Sequence, residues 1–527
     1  MAFFSILSFC GYILKWIPLP WPFTPPHSNN IRFLPFQWYC RQFIQRPFLT
    51  SFISLFIIYL PYAIISYPAI FIADTRTQIV QAYRELNIII PEYLEGHLLS
   101  DSVLLNTHHP IIHTLLIHFC LKIGTVLFHS ANKGIFIYSI LQWLCVLSVI
   151  SYAIKIILEK IHIPVKYAVL ILLYYIISPR IQGYMFLATK DVFYSTFLMY
   201  FLIFLYLFYS GEKNRNLYIG LLISAVGVLL FRNEAKYLLL FSFLLIAIFN
   251  KKLRKSAVYF LGFIVCFSFL YSTILSLCHV TPGSAREMLS VPFQQTARYI
   301  KYYENEVSEE EKEAINQILD YSVLAEKYNP NVSDPVKDTF NEDASTKDLL
   351  QYFKVWFQML LKHPGTYIQA TMNNYYLYFY PSGKTFSNNS YQRSTVKMLD
   401  TNIRLEPIGL KFSHPESLAP YRNYYEAVRE GAVLFPPITI LMIPATYTWL
   451  LILLFFYSLQ NRCDSAIAFL TLPCMLVLIS LLGPCNGYYC RYLYPIILCM
   501  PFIISVTFGL NQKSEIESAN IKNYILT

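Results

Sequence analysis

Long apolar stretches alternate with short polar ones over most of the chain. Seven of them are long enough to cross about 30 Å of hydrocarbon as helices, and they lie at residues 48–67, 135–158, 190–209, 256–277, 431–458, 464–483 and 489–510. Three shorter stretches, at 164–180, 217–231 and 237–250, fit tilted helices sheltered within a bundle. Because a chain in lipid must satisfy its own backbone hydrogen bonds, the pattern predicts an all-α polytopic membrane protein with about ten transmembrane helices.

Composition supports this prediction. Of 527 residues, 56% are apolar and only 14% are charged, and the mean hydropathy is +0.44. A soluble protein carries roughly 25% charged residues, so this chain has too little charge to cover a water-soluble body of its size. The net charge of +10 comes from Lys and Arg that lie between apolar stretches. That arrangement does not favour nucleic-acid binding, which uses basic clusters interleaved with exposed aromatic residues.

The basic residues predict how the spans are oriented. Loops facing the cytoplasm are enriched in Lys and Arg. If both termini are cytoplasmic, loops with an excess of basic residues alternate with loops in which basic and acidic residues are about equal in number. The cytoplasmic side then holds the N-terminal arm, residues 160–166, 213–215 and 251–255, Arg462 and the C-terminal tail. For the remaining loops to lie on the extracytoplasmic side, residues 111–130 must not cross the membrane. Their polar residues His113, His118, Lys122 and His129 fit a helix in the outer interface.

The spans divide the chain into five regions. These are an N-terminal interfacial and cytoplasmic arm (1–46), a bundle (47–277) with a first extracytoplasmic loop (68–134), an extracytoplasmic insert (278–430), C-terminal transmembrane helices (431–510) and a cytoplasmic tail (511–527). Residues 3–19 favour an uncleaved interfacial helix. Helical patterns at 307–327 and 348–362 predict a mainly helical insert. Cys485 and Cys490 share a short loop, where a disulfide is one option.

Ionisable residues beside the spans are the candidates for chemistry, because charge near lipid is costly and usually marks a site. Asp74 follows the first span and fits two roles, the N-cap of a helix that begins at Thr75 or a base that takes a proton from a hydroxyl. Arg76 follows it closely. His108 and His109 precede Pro110 at the end of the loop. They fit hydrogen bonding to a phosphate or sugar, or a divalent metal site for which Asp74, Glu92, Glu95 or Asp101 are possible further ligands, although spacing does not compel a metal.

Further charged groups lie at helix ends on the same predicted side. They are Lys190 and Asp191, then Arg232, Asn233 and Glu234, then Arg298 in the insert and Arg491 before the last span. One interpretation is structural, with Lys190 paired to Asp191 and arginines reaching the interface. The other is an anion pocket, because Arg and Lys are the side chains that bind phosphate. The sequence contains no P-loop, GxGxxG or GxSxG motif, so we expect no nucleotide cofactor.

Together these motifs resemble the GT-C class of membrane glycosyltransferases, in which an exterior loop after the first span has an early Asp and a closing His-Pro. They are more similar still to an uncharacterised family of polytopic proteins from Gram-positive bacteria, grouped with the protein-mannosyltransferase-like enzymes. The similar segments are Tyr67-Pro68, Asp74, His108-His109-Pro110, Thr189-Lys190-Asp191, Arg232-Asn233, residues 290–298 and residues 486–495. The chain departs from the GT-C pattern in lacking an Asp-Glu pair at Asp74 and in closing its loop with His-His-Pro-Ile.

The resemblance implies a GT-C-like bundle in the cell membrane with its active site outside. A polyprenyl-phosphate sugar would be the donor, and a cell-envelope glycan or lipid-linked molecule the acceptor. Asp74 would be the catalytic base. Lys190, Arg232 and Arg491 would stabilise the phosphate, with Arg298 as a further candidate. Two other functions remain open, namely a transporter or flippase of lipid-linked glycans and a non-catalytic partner in envelope assembly.

Overall fold

The computed structural model describes residues 34–84, 105–381, 405, 410–483 and 491–526. Within these ranges the regular structure is helical, and the β-structure found there consists of isolated bridges. The prediction of an all-α polytopic membrane protein is therefore confirmed at this level. The helix expected at residues 3–19 and the Cys485–Cys490 pair lie outside the described residues.

The helices before the insert are numbered in chain order among the described residues. They are α1 (Leu34–Gln45), α2 (Pro47–Ile65), α3 (Ala73–Arg84), α4 (Ile111–Phe128), α5 (Ala131–Ile156, extended by a π-turn Ile157–Ile161), α6 (Val165–Ile177), α7 (Pro179–Met185), α8 (Lys190–Tyr209), α9 (Arg215–Phe231), α10 (Ala235–Phe249) and α11 (Arg254–Leu277).

The insert and the C-terminal part contribute the remaining helices. They are α12 (Ser290–Tyr303), α13 (Glu309–Asn316), α14 (Tyr321–Lys327), α15 (Asp334–Lys337), α16 (Thr346–Lys362), α17 (Pro364–Phe379), α18 (Ala419–Val433), α19 (Pro436–Met442), α20 (Pro444–Gln460), α21 (Asp464–Ser480) and α22 (Tyr494–Leu526). Single 3-10 turns occur at Ala285–Glu287, Glu304–Glu306, Glu416–Leu418 and Arg491–Leu493.

Six helices in the described ranges are long and apolar enough to cross a membrane, or up to eight if each of two bent helix pairs is one span. The six are α2, α4, α5 with its π-turn, α8, α11 and the segment Arg491–Ser514, while α9, α10 and α21 are shorter apolar helices. Each of the ten predicted spans contains a helix.

Two predicted spans are broken by proline. The stretch 431–458 is not one helix, because α19 and α20 meet at an angle of 77°, and α6 is followed by α7 at 59°. Proline disfavours helical backbone in the residue before it. Accordingly Ile443, before Pro444, has φ −83° and ψ 118°, and Ser178, before Pro179, has φ −72° and ψ 107°. The prediction of a continuous helix at 431–458 is therefore wrong.

Contacts between loops define two ends of the bundle. At the upper end, Ile70 forms a bridge with Leu187 and the Thr107 backbone N–H donates to the Thr281 carbonyl. At the lower end, Lys160 pairs with Glu212 at 2.5 Å and Asn250 Nδ2 donates to the Asp464 carbonyl at 3.3 Å. The basic segments 160–166, 213–215 and 251–255 and Arg462 all adjoin helix ends at the lower end.

Helix α4 crosses α5 steeply. The His113 ring lies 5.6 Å from the Tyr138 ring near one end of α4, whereas Gly124 approaches Gly134 closely near its other end. Both contacts fall within residues 134–138 of α5, next to Ser139, whose Oγ donates to the Pro68 carbonyl at the upper end. Both ends of α4 therefore stay at the upper end.

The insert has its own apolar core. Aromatic and aliphatic side chains of α12, α13, α14, α16 and α17 form it, including Phe293, Tyr299, Tyr352, Met359 and Tyr367. Ser308 and Ser345 begin α13 and α16 with capping boxes, which satisfy first-turn N–H groups. The predicted helix at 348–362 is confirmed, and the stretch 307–327 forms two helices, α13 and α14. Tyr375 and Tyr378 of α17 join the core of the bundle.

The close approach of α4 and α5 gives a stability prediction. A Cβ added at Gly124 would lie 2.2 Å from the Gly134 Cα, whereas a Cβ at Gly262 in α11 would meet nothing within 4 Å. We expect Gly124→Ala to destabilise the protein by about 1–3 kcal/mol through overpacking. Gly262→Ala, the matched control, should be neutral or stabilising by up to about 1 kcal/mol. Thermal unfolding in detergent measures both, and an equal response of the two variants would contradict the packing described here.

Candidate functional site

The site is built around Asp74, which lies in the first turn of α3. Its Oδ2 atom contacts the Arg491 guanidinium, lies 3.4 Å from Lys190 Nζ and lies 3.8 Å from His109 Nδ1. Asp74 is the second residue of α3 and does not precede the helix, so the interpretation of Asp74 as an N-cap is not supported. Three residues that are distant in sequence bring basic groups to this one carboxylate.

A second carboxylate, Asp191, lies beneath the first. Its side chain is 1% exposed and accepts hydrogen bonds from Arg491 Nε, from Arg232 NH1 at 3.2 Å and from Thr189 Oγ1 at 3.0 Å. Lys190 pairs with Asp74, whereas Asp191 pairs with two arginines. Lys190 and Asp191 are neighbours in sequence but therefore have different partners. Arg491 contacts both Asp74 and Asp191 and thereby joins the two carboxylates.

Arg232 is held on several sides. Its guanidinium carbon lies 5.1 Å from the centre of the Tyr194 ring and 4.8 Å from that of Tyr492. Such aromatic contacts attract a cation. Its Nε atom lies 3.3 Å from Glu234 Oε2. Burial acts to lower the pKa of Arg232, but Glu234 and Asp191 outweigh it and hold that pKa above its ordinary value. Arg232 is therefore a fixed cation.

Helix ends explain why these residues meet. Lys190 and Asp191 form the first turn of α8, whose N-cap is Thr189. Arg232 directly follows the last residue of α9, and Arg491 lies in the 3-10 turn before α22. All of these helix ends lie at the upper end of the bundle, where charged groups can stay out of hydrocarbon. The carboxylate of Asp191 at a helix N-terminus is also favoured by the helix dipole.

The cluster is balanced in charge. Among the described residues, the cations Lys190, Arg232 and Arg491 are joined by ion pairs to the carboxylates Asp74, Asp191 and Glu234. Each cation already contacts a carboxylate. An anionic ligand would therefore bind by exchanging with one of these carboxylates.

Burial and charge set the protonation of Asp74 and His109. Burial lowers the pKa of His109 well below its ordinary value, and the nearby Lys190 ammonium lowers it further. The imidazole is thus neutral, and its Nδ1 atom accepts a hydrogen bond from Lys190 Nζ at 3.0 Å. Burial acts to raise the pKa of Asp74, but Arg491 and Lys190 outweigh it and hold that pKa well below its ordinary value. At neutral pH a charged carboxylate thus faces a neutral histidine.

The other predicted site residues are placed as follows. The His108 ring lies 4.5 Å from the His109 ring, and the Asn233 Nδ2 atom donates to the Thr107 carbonyl at 2.6 Å. Arg76 is half-buried on α3, two residues after Asp74. Arg298 lies in the insert, where it donates to Tyr328 Oη at 3.2 Å and to Gln369 Oε1 at 2.6 Å. Arg298 is therefore not part of the cluster.

The insert is docked onto the histidine turn. A Cβ added at Gly283 would lie 2.9 Å from both the Cα and the N atom of His108, so only glycine fits this approach. The Gly283 N–H also donates to Thr107 Oγ1 at 2.9 Å. The first turn of the insert is thus fixed next to His108 and His109.

No group of three or more His, Cys, Asp or Glu side chains suited to a metal ion occurs in the described part of the chain. Glu92, Glu95 and Asp101, named above as possible ligands, lie outside that part. Thr189, Tyr194 and Tyr492 contact the cluster but were not among the predicted site residues. Thr189 and Tyr492 lie within segments that carry the family resemblance, whereas nothing in an apolar, tyrosine-rich chain singles out Tyr194.

A pocket lies beside Arg232, between α10 and α21. Its cavity volume is about 30 Å³, which is room for little more than a water molecule. Its polar end is formed by Arg232 and Glu234, and apolar side chains such as Leu238, Leu476 and Ile479 line the rest. The pocket therefore combines one charged end with an apolar wall.

The neutral His109 predicts a dependence of stability on pH. Its pKa is about 6.5 when unfolded and lower when folded, so the unfolded state takes up the proton first. Stability is then lost below pH 6.5 by about 1.4 kcal/mol per pH unit until the folded pKa is reached. The Asp74 contribution is lost only below about pH 4. Between pH 7.5 and 5.5, His109→Gln should lose about 1.4 kcal/mol less than the native chain in thermal unfolding. Equal losses would contradict a neutral His109.

Comparison with known proteins gives a family without an assigned activity. No curated protein and no solved structure matches the chain. A family described as "Family of unknown function (DUF6020)" matches residues 39–522, which is most of the chain. The protein therefore belongs to the DUF6020 family.

Proposed function

We propose that the protein is a membrane glycosyltransferase of GT-C type. It transfers a sugar from a polyprenyl-phosphate donor to an extracytoplasmic cell-envelope glycan or lipid-linked acceptor. The observation that supports this most is the contact of Asp74 with Arg491, 417 positions apart in sequence, and with Lys190. An acid and two cations at one helix-end cluster are the groups that such a transfer uses.

The reaction assigns a role to each group. The acceptor hydroxyl oxygen bonds to the anomeric carbon of the sugar, the bond from that carbon to the phosphate oxygen breaks, and polyprenyl phosphate leaves. Asp74 takes the hydroxyl proton. Negative charge develops on the leaving phosphate, where Lys190 and Arg491 stabilise it.

Donor binding also explains how so acidic a carboxylate acts as a base. In the free protein Lys190 and Arg491 contact Asp74 and lower its pKa. A donor phosphate that takes over these two cations removes the stabilisation of the carboxylate. The pKa of Asp74 then rises toward the range in which it accepts a proton, so the base becomes active only with the donor in place.

The proposal includes an arrangement in the membrane. In it, ten spans cross the bilayer, α4 lies in the outer interface, both termini lie in the cytoplasm and the cluster lies outside. Support comes from the basic segments at the lower end of the bundle, opposite Asp74, as the positive-inside rule requires for an external site.

A second candidate function is transport of lipid-linked glycans. The observation that favours it is the pair of broken helices, α6–α7 and α19–α20, because many carriers bind substrate at discontinuous helices. The two breaks are linked by the fully buried Arg180, whose Nε and NH2 atoms lie 3.3 and 3.1 Å from the Met442 carbonyl oxygen. The charged cluster, however, lies at one end of the bundle and does not follow a path through it.

Transfer by purified protein in liposomes tests the proposal. With radiolabelled polyprenyl-phosphate sugars and envelope acceptors, the native protein should label the acceptor and release free lipid phosphate. Asp74→Asn should reduce this rate by about 10²–10⁴-fold, the usual contribution of a general base. Glu212→Gln is the matched control, because it removes a carboxylate of a lysine pair at the lower end and should leave the rate unchanged.

Other outcomes of this assay decide against the proposal. Movement of intact donor across the bilayer without release of lipid phosphate would establish the carrier. Neither movement nor release, with every donor and acceptor, would favour the non-catalytic assembly partner. Full activity of Asp74→Asn would reject the base.

A further inference from the structure

A chain of buried polar side chains lies beneath the charged cluster. Gln78 of α3, His113 and Thr114 of α4, and Tyr138 and Gln142 of α5 are each no more than 1% exposed. Burying a polar group costs free energy unless it is hydrogen-bonded, and all five are bonded to one another. None of the five was among the predicted site residues, and the reaction above uses none of them.

The hydrogen bonds run in one direction. Gln142 Nε2 donates to the carbonyls of Met185 at 2.8 Å and Leu187 at 2.9 Å, which leaves its Oε1 to accept from the Tyr138 hydroxyl at 2.8 Å. The Tyr138 oxygen lies 2.7 Å from His113 Nε2. Because the hydroxyl proton is given to Gln142, His113 Nε2 must carry a hydrogen and donate it to Tyr138.

The other end of this series of hydrogen-bonded side chains reaches α3. His113 Nδ1 lies 3.0 Å from the side-chain amide of Gln78, and the same amide lies 2.9 Å from Thr114 Oγ1. The atom placed next to Nδ1 is Gln78 Oε1, and Nε2 faces Thr114. Because Nδ1 of a neutral ring accepts when Nε2 carries the hydrogen, the Gln78 amide must be rotated by half a turn, so that its nitrogen donates to Nδ1. Gln78 is one helical turn after Asp74 and lies on the same side of α3.

This series of hydrogen-bonded side chains therefore joins the two segments that bear Asp74 and Lys190. Residues 186–188 are also held by Ile70, through the bonds Ile70 N–H to Phe186 carbonyl at 3.0 Å and Ala188 N–H to Ile70 carbonyl at 2.9 Å. Thr75 donates to the Ala188 carbonyl as well. Lys190 begins α8 two residues after Ala188. A closed ring of contacts thus runs from α3 through α4 and α5 to this segment and back to α3.

We propose that His113 and Tyr138 are positioning residues of the site, which fix Asp74 and Lys190 relative to each other through Gln78 and Gln142. Neither touches the substrate. Their kinetic effect rests on the proposed function, whereas their effect on backbone order does not. Loss of the Tyr138–His113 bond frees the ring on one side, and misplacement of reacting groups by about 1 Å lowers rates by up to about 10²-fold.

Removal of one hydroxyl tests this inference. Tyr138→Phe should reduce kcat for sugar transfer by about 10–100-fold and leave KM for the donor within about twofold, because none of the cations that bind the donor is removed. Tyr200→Phe is the matched control. Its hydroxyl bonds Ser148 Oγ at 2.8 Å and so joins α8 to α5, the helix that carries Tyr138, but it lies ten residues after Lys190 on α8. It should have native kcat and a thermal shift similar to that of Tyr138→Phe.

A measurement without substrate separates the two proposals. Hydrogen–deuterium exchange of the backbone amides in residues 70–78 and 186–190 should quicken at least tenfold in Tyr138→Phe and not in Tyr200→Phe. If no donor is transferred even by the native protein, the proposed function fails and the exchange result alone decides this inference. Native exchange in Tyr138→Phe, or equal changes in kcat and exchange for both variants, would overturn it.

Discussion

The structure of the site depends on one arginine that joins two carboxylates. Arg491, just before α22, binds Asp74 of α3 through its NH2 atom and Asp191 of α8 through its Nε atom. The planar fork of arginine suits such double contacts. Its two ion pairs hold the ends of three helices at one point.

Proline and glycine positions shape the bundle around that point. Pro179 and Pro444 break two apolar segments, and Arg180 binds the Met442 carbonyl at the second break. Gly124 and Gly134 allow α4 to cross closely over α5, which brings His109 and His113 next to α3. The glycine at 283 then allows the insert to rest on the histidine turn. These proline and glycine positions thus help to place polar side chains from distant parts of the sequence at the upper end of the bundle.

Much of the fold followed from the hydrophobic pattern, because spans must be long and apolar whatever their neighbours are. The helix in every predicted span and the helix at 346–362 are of this kind. The breaks at Pro179 and Pro444 were the exceptions. Proline is visible in the sequence, but whether a helix bends, kinks or ends there depends on packing partners such as Arg180 that lie far away in the chain.

The site was predictable as a set of residue types but not as a set of pairs. Asp74, Lys190, Asp191, Arg232 and Arg491 stood out because charge beside lipid is costly. Sequence proximity favoured Lys190 with Asp191, whereas the first turn of α8 directs the two side chains to different partners. Arg298 stood out for the same reason as the others, yet its α12 position places it with Tyr328 in the insert. The pairing of Asp74 with Arg491 links positions too distant for any local rule.

The central claim is that Asp74 and Arg491 interact directly. A double-mutant cycle with Asp74→Asn, Arg491→Gln and the double variant measures this interaction as a coupling free energy, from unfolding in mixed detergent micelles. Contacting charged groups couple by roughly 0.5–3 kcal/mol, and for this partly buried pair we expect at least about 1 kcal/mol, with the double variant less destabilised than the sum of the single ones. Additive effects, within about 0.5 kcal/mol, would show that the two residues do not meet, and the account of the site would fail.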